Sequence, residues 1–286
     1  MKLEVKNLTK YYKDTLGIKD VSFGIKNGEV FGFIGPNGAG KSTTIRSIMN
    51  LIDKSGVVLI DGKEFKKDDI NLMKKISYLP SEINLYDDLT VREMLDYNEE
   101  FYPNCHSLRK KLVNRFRLDE NKNIEDLSLG NLKKLGIVIT FMKDAEIIIL
   151  DEPTSGLDPI MQDEFYKLIL EEKEKGKTIL YSSHILSEVS KICDRIGVIK
   201  DGSIILIDKI SKLSENNLNI ISIVSKDKSK IIDKLNAEII EEKDDYFRFK
   251  TKIQSDKLIK ELSLFTIDKI TIEEATLEDI VMEYYK

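Results

Sequence analysis

Residues Gly35-Pro36-Asn37-Gly38-Ala39-Gly40-Lys41-Ser42 fit the pattern GxxxxGK[ST], between the strand read over 29–34 and a helical pattern through Ile45, Ile48 and Leu51. Glycines at these spacings let the chain curl so that successive backbone N–H groups converge on phosphate oxygens. A helix opening near Lys41 adds its positive dipole end. In such a loop Lys41 neutralises the β- and γ-phosphates and the Ser42 hydroxyl ligates Mg²⁺. A second constellation is the run Ile147-Ile148-Ile149-Leu150 followed by Asp151 and Glu152. A continuous apolar run predicts a central parallel strand buried on both faces, which brings the two carboxylates to the sheet's carboxyl edge, where open α/β folds bind ligands. Asp151 is expected to hold the metal through its waters, and Glu152 to orient or deprotonate an attacking water, help that contributes ~10²–10⁴-fold. His184 follows a further strand over 178–183, expected to neighbour 147–150, so its imidazole reaches the same edge to bond a γ-phosphate or position the nucleophilic water. The other histidine, His106, follows Cys105, but no further Cys or His lies nearby to complete a metal site.

These residues need a scaffold, and its outline follows from periodicity. Residues 3–34 read as short strands, with Val21, Phe23 and Ile25 alternating and Asn27-Gly28 predicting a hairpin. Residues 57–60 end on a second hairpin signal, Asp61-Gly62, and 76–79 read as another strand. From about 87 to 143 the period becomes helical. Thr90-Val91-Arg92-Glu93 is a capping box ahead of a helix ending near Pro103, and helices follow over 108–116 and 131–142. Beyond the 147–150 strand come a helix over 160–175 stopped by Gly176, the strand from 178, a helix over 185–191 and a hairpin at Asp201-Gly202. Strand and helix alternating in this way predict an α/β fold, a mostly parallel sheet covered on both sides. Residues 208–219 are polar and read as a linker. After them strands at 220–224, 246–250 and 266–272 and helices near 227–236, 254–263 and after Thr276 form a small α+β lobe. The expected domains are therefore 1–207, with an antiparallel β subdomain and a helical subdomain at about 82–145, and 208–286.

Composition narrows the class. The chain has 286 residues, 41% hydrophobic, with 45 Lys and Arg against 50 Asp and Glu. That acidic balance argues against wholesale nucleic-acid binding. Two distant cysteines exclude a disulfide scaffold or zinc ribbon and suit a reducing compartment. The opening residues show no apolar signal-peptide core, and the longest apolar stretch, 135–142, falls short of the ~20 residues that span a bilayer. A soluble cytoplasmic protein is expected.

Taken together, the motifs of residues 3–205 resemble the nucleotide-binding subunits of ABC transporters, whose fold is that of P-loop NTPases. By this resemblance residues 35–42 are Walker A, and Gly35, Pro36, Asn37, Gly38, Ala39, Gly40, Lys41, Ser42 and Thr43 contact ATP. Residues 147–151 are Walker B, Glu152 is the catalytic glutamate and His184 the switch histidine. Ser155-Gly156-Leu157-Asp158 matches the D-loop, so Asp158 joins the nucleotide-binding set. Leu8-Thr9-Lys10-Tyr11-Tyr12 looks like the segment whose aromatic stacks on adenine; spacing favours Tyr12, with Tyr11 the alternative, and a base offers either ring a flat π-face. Two positions depart from the pattern. Leu127-Ser128-Leu129-Gly130-Asn131 stands where the family has Leu-Ser-Gly-Gly-Gln, keeping Ser128 and Gly130, which in the family contact ATP on the opposite subunit. Ser128 also suits an N-cap. Ser81 stands where a glutamine is usual, and is too short to span the same distance, so Ser81 with Glu82 or a bridging water is the expected substitute in the metal's surroundings. The segment Ala275-Thr276-Leu277-Glu278-Asp279-Ile280 resembles the tail of drug- or bacteriocin-resistance export subunits, and the lobe it ends is expected to pack or to stabilise a dimer.

The resemblance implies a Mg²⁺-dependent ATPase motor. Two subunits, copies of this chain or one copy with a homologue, sandwich two ATP molecules, each completed in trans by Ser128 and Gly130. A separate transmembrane permease feels the motion through a groove near residues 81–103, which places the protein on the inner face of the membrane, for export. Two other readings are a non-transport ABC ATPase acting on ribosomes or DNA, and an ATP sensor without useful turnover. A Glu152→Gln change separates motor from sensor.

Overall fold

The computed structural model describes residues 1–102, 105–214, 218–235 and 237–285, the side chains of 214, 255 and 285 excepted. The chain forms two compact units, Met1–Asp208 and Lys209–Lys286.

The first unit contains two sheets. One is antiparallel, with strand order β2-β1-β4-β5, built from β1 (Leu3–Tyr12), β2 (Thr15–Ile25), β4 (Ser55–Ile60) and β5 (Lys63–Glu64). The Asp61-Gly62 turn does join a hairpin, β4 to β5. The strands β1 and β2 are long rather than short, because register shifts along their pairing break the alternation that would mark them in sequence. The second sheet has order β10-β9-β3-β8-β7-β6, formed by β3 (Val30–Ile34), β6 (Ile76–Leu79), β7 (Ile147–Asp151), β8 (Thr178–Ser183), β9 (Arg195–Lys200) and β10 (Ser203–Lys209). The pairs β3–β8, β3–β9, β7–β8 and β6–β7 are all parallel.

Asn27-Gly28 does not make the expected hairpin. Strands β2 and β3 lie in different sheets, and Gly28 N–H bonds Thr178 Oγ1 at 3.2 Å. Strand β3 is buried along its whole length, so it takes parallel neighbours on both sides, and the turn only carries the chain from one layer to the next. Phe23 from one sheet stacks on Phe31 and Phe33 from the other, with ring centroids 5.1 and 5.4 Å apart. Burying each such ring contributes about 1.5–3 kcal/mol.

Helices α1 (Lys41–Ile48), α2 (Ile70–Met73), α6 (Pro159–Glu174) and α7 (Leu186–Ile192) belong to the sheets' framework, whereas α3 (Val91–Phe101), α4 (His106–Phe116) and α5 (Leu129–Met142) form the helical segment. The capping box is complete: Glu93 N–H donates to Thr90 Oγ1 at 3.2 Å and Thr90 N–H to Glu93 Oε2 at 2.7 Å. Arg109 of α4, almost fully buried, binds Asp96, Glu99 at 2.7 Å and Glu120 at 2.8 Å, tying α3 to α4 and the following loop. Arg115 of α4 bridges to Glu164 and Glu171 of α6.

The second unit opens with α8 (Ile210–Ser214), so the stretch read as a linker contains a helix; its buried Leu213 is too little by itself to show as a periodic pattern. There follow β11 (Asn219–Val224), α9 (Lys228–Leu235), β12 (Glu238–Lys243), β13 (Tyr246–Thr251), α10 (Ser255–Leu262), β14 (Lys269–Glu274) and α11 (Leu277–Tyr285). The sheet order β12-β13-β11-β14, antiparallel throughout, is the split βαβ arrangement of ferredoxin-like domains. Sequence reading missed β12, whose Glu238, Glu241, Glu242 and Lys243 leave only two apolar residues on an outer strand. Ile221, Ile223, Phe247 and Phe249 form its core with Ile231, Leu258 and Leu262 of the two helices.

Candidate active site

Parallel pairing makes β3, β6, β7 and β8 end on one edge, so the segments 35–40, 80–82, 151–152 and 184 emerge together. Gly40, with φ 110°, caps α1 without a side-chain bond. A Cβ there would sit 2.7 Å from Ile18 Cγ2 and 3.0 Å from Gly17 O, so only glycine fits. The first turn of α1 carries no acidic residue, which leaves its N–H groups and dipole to favour an anion. Lys41 is 6% exposed; its ammonium donates to Gly35 O at 2.6 Å and Pro36 O at 3.2 Å. Pro36, Asn37 and Gly38 are exposed at the tip, Ala39 is buried beneath, and Ser42 and Thr43 follow half-buried.

Asp151 is fully buried. Its Oδ1 accepts from Ser182 Oγ at 2.7 Å, its register partner on β8, while Oδ2 has no hydrogen-bond partner among the described residues. Ser182 Oγ in turn accepts from Glu152 N–H at 3.1 Å. Glu152 has φ 48°, in the left-handed region that costs a non-glycine residue about 1–3 kcal/mol. That bend turns its carboxylate back over the edge: Oε2 lies 2.8 Å from His184 Nδ1 and Oε1 lies 3.2 Å from Lys41 Nζ. The lysine, glutamate and histidine thus form one chain across the edge. Tyr78 of β6, pushed up to about 12 by burial and by the Asp151 charge, stays a neutral phenol beside it.

The donor set fits Mg²⁺. A buried carboxylate oxygen without a partner is costly by about 1–3 kcal/mol unless a cation meets it. The half-buried Ser42 hydroxyl at the start of α1 supplies a second hard oxygen. No group of three or more His, Cys, Asp or Glu able to hold a metal occurs among the described residues. His106 Nδ1 lies 3.0 Å from Glu99 Oε1, and Cys105 is buried.

Other expected positions fall elsewhere. Ser81 reaches the site through its carbonyl, which accepts from Lys133 at 2.9 Å, rather than through its hydroxyl. Glu82 is exposed and shares no hydrogen bond or ion pair with any of these residues, since the alternation along 81–85 turns it outward. Tyr12 is half-exposed, its ring against Gly17, with Lys10 Nζ 5.2 Å from the ring centroid; Gly17 in turn abuts Gly40, which places Tyr12 on the phosphate-loop side. Ser128 caps α5, accepting from Asn131 N–H at 3.4 Å, and Asp158 caps α6, accepting from Met161 N–H at 3.0 Å. A Cβ on Gly130 would stand 2.7 Å from Gly156 O, so the glycine lets α5 abut the 155–158 segment. Ser128, Gly130 and Asp158 make no hydrogen bond to Lys41, Asp151, Glu152 or His184 among the described residues.

Three contributors escaped the sequence. Ser182 lies in a wholly buried strand and was read only as part of it. Lys133, one of two adjacent lysines on α5, was not singled out and is 2% exposed. Glu188 of α7, also buried, accepts from the hydroxyls of Thr154 at 2.9 Å, Tyr181 at 3.0 Å and Ser183 at 2.9 Å, and so fixes the segments on either side of Glu152 and His184. A carboxylate one helical turn past His184 was its only signal.

The phosphate loop at the end of β3, with acidic β7 two strands away, defines a P-loop NTPase. Residues 18–155 match the ABC transporter family. The chain is 34% identical over 221 residues to the ABC transporter ATP-binding protein YtrB of Bacillus subtilis, covering 76% of this chain and 75% of that one. It is 37% identical over 212 residues to the linearmycin resistance ATP-binding protein LnrL of the same organism, covering 72% and 68%. Among solved structures, the dimeric post-hydrolysis state of the ATP-binding cassette MJ0796 bound to ADP and Pi is similar, with a TM-score of 0.65, 27% identity, and 73% of this chain and 98% of that one covered. The chain belongs to the ABC transporter ATP-binding proteins.

Proposed function

We propose that this chain binds and hydrolyses ATP in a sandwich of two subunits and thereby drives a separate membrane permease, for export. The observation that carries the reading is the chain Lys41–Glu152–His184 beside the unpartnered Asp151 oxygen. The curl of residues 35–40 and the N-terminus of α1 bind the phosphates, and Lys41 exchanges its carbonyl and Glu152 partners for phosphate oxygens. Mg²⁺, held by Asp151 and Ser42, supplies charge neutralisation at the phosphates when bound. Glu152, freed from Lys41, accepts the proton of the attacking water, and His184 holds its second oxygen in place. Tyr12 offers a face to the base. Ser128, Gly130 and the 155–158 segment with Asp158 present a surface to the partner subunit's nucleotide.

Two features support the permease. No helix among the described residues is long and apolar enough to cross a membrane. A groove of about 420 Å³ lined by Ile70, Met73, Tyr78, Phe101, Tyr102 and Lys143 offers an apolar seat for a partner's helix. In this reading the protein sits against the inner face of the membrane through that permease. Export follows the resistance role in LnrL's name and the name of a second relative, the lantibiotic transport ATP-binding protein SrtF of Streptococcus pyogenes, 37% identical over 207 residues. The acidic balance of the chain favours this over action on nucleic acid. The test is Glu152→Gln in the full chain with Mg²⁺ and ATP. Turnover is expected to fall by about 10²-fold or more while an ATP-bound dimer accumulates on size exclusion; unchanged turnover would sink the assignment.

A further inference from the structure

Position 81 holds serine where the family has glutamine, and the structure brings a buried ammonium from another element to the Ser81 carbonyl. Lys133, on α5, is 2% exposed. Its Nζ donates to Ser81 O at 2.9 Å and to Glu152 O at 3.4 Å. The same helix is pressed against the segment around Ser81. A Cβ on Gly136 would stand 2.4 Å from Ile83 Cδ1 and 3.0 Å from Leu79 Cδ1, so the absence of a side chain at 136 is what lets Lys133 reach. Asp151 and Glu152 favour the charged form of Lys133, although burial outweighs them and holds its pKa below the ordinary lysine value.

A buried ammonium is expensive, and an apolar residue would fill the same space as its neighbours Leu135, Ile137 and Val138 do. The charge needs a reason beyond packing. Its two acceptors are carbonyls just beyond the ends of β6 and β7, the second belonging to the strained residue that carries the Glu152 carboxylate. Its own helix starts at Ser128 and Gly130.

We propose that Lys133 is a positioning residue that ties α5 to the carbonyls of Ser81 and Glu152, so that displacement of α5 is delivered to the Glu152 carboxylate through the backbone. A rigid helix gripping two strand ends moves both together, and a charged donor in a dry setting makes the grip stronger than a neutral one. The proposal rests on the hydrolytic reading of Glu152 given above.

The experiment compares wild type, Lys133→Met and Lys133→Gln as full chains. It measures kcat and KM for Mg-ATP, and the affinity for a fluorescent ATP analogue. Lys133→Met, which keeps the shape and loses every donor, is expected to lower kcat about 10-fold or more while affinity stays within about 2-fold, the split that marks an interaction made on the way to the transition state. Lys133→Gln, whose amide still donates, is expected to recover to about 2–5-fold below wild type. Turnover of Lys133→Met equal to wild type overturns the proposal. So does a Gln variant that falls as far as the Met variant with affinity lost in parallel, since that marks a packing role. Where the Met variant does not fold, the Gln variant decides: a reduced kcat at unchanged KM supports the tie, and an unchanged kcat overturns it. A wild-type chain that binds ATP without hydrolysing it overturns the underlying reading instead, which separates the two failures.

Discussion

Lys41 is held by two loop carbonyls and a carboxylate, so its charge is already desolvated and aimed when a phosphate arrives. Lys41→Ala is expected to weaken nucleotide affinity by at least about 10-fold, read by titration with a fluorescent ATP analogue, because a buried charge-assisted contact contributes more than a solvent-exposed one. Glu188 is a different case. Glu188→Ala leaves the Thr154 and Ser183 hydroxyls facing no carboxylate and should cost about 2–4 kcal/mol in urea unfolding, together with a loss of turnover. The contrast explains what sequence discloses at this scale. Lys41, Ser42, Asp151, Glu152 and His184 were legible because their chemistry demands a fixed residue type at a fixed place on a strand or loop. Glu188, Ser182 and Lys133 act through residues brought close only by folding, and nothing local distinguishes them from solvated polar positions.

Helices and strands carry the next set of consequences. Arg109 binds carboxylates from α3 and from the loop after α4 while itself almost fully buried, so Arg109→Met is expected to destabilise the helical segment by about 2–3 kcal/mol, read by urea denaturation. The figure lies at or below the low end for a broken buried pair because the carboxylates are partly solvated. At the start of β1, Lys2 binds Asp61 and Glu146, and Lys75 joins them, linking the antiparallel sheet to the base of β7. Burial opposes ionisation of Asp61, yet the bonds from Lys2 and Lys75 hold it below the usual carboxylate range; the bond from Lys2 does the same for Glu146. With folded-state values depressed, this stabilisation is complete above the unfolded values of about 4 and is lost as pH falls through the folded ones. A Lys2→Met variant should therefore lose less stability than wild type between about pH 5 and 3, measured by thermal melts. The parallel sheet was legible as unbroken apolar runs and the helices as caps and periods. What misled was Asn27-Gly28, where the same two residues serve a hairpin or a change of layer, and only the burial of both faces of β3 decides.

At the scale of the whole chain, every residue of the candidate site lies in Met1–Asp208, and the second unit has its own core. A truncation at Asp208 is expected to retain nucleotide affinity within about 3-fold of the full chain, checked by the same titration, as suits a unit with its own core. The change in character near residue 208 was visible in composition, but the ferredoxin-like order was not, since strand order in a small antiparallel sheet is set by contacts between segments far apart in sequence. That order leaves β12 and β14 outermost, with Ile240 and Ile270 exposed among glutamates and lysines. Those charges act as gatekeepers against edge-to-edge growth. The run Glu241-Glu242-Lys243 would tempt anyone flattening surface side chains to coax crystals; alanine there is expected to yield sedimenting aggregate in place of lattice.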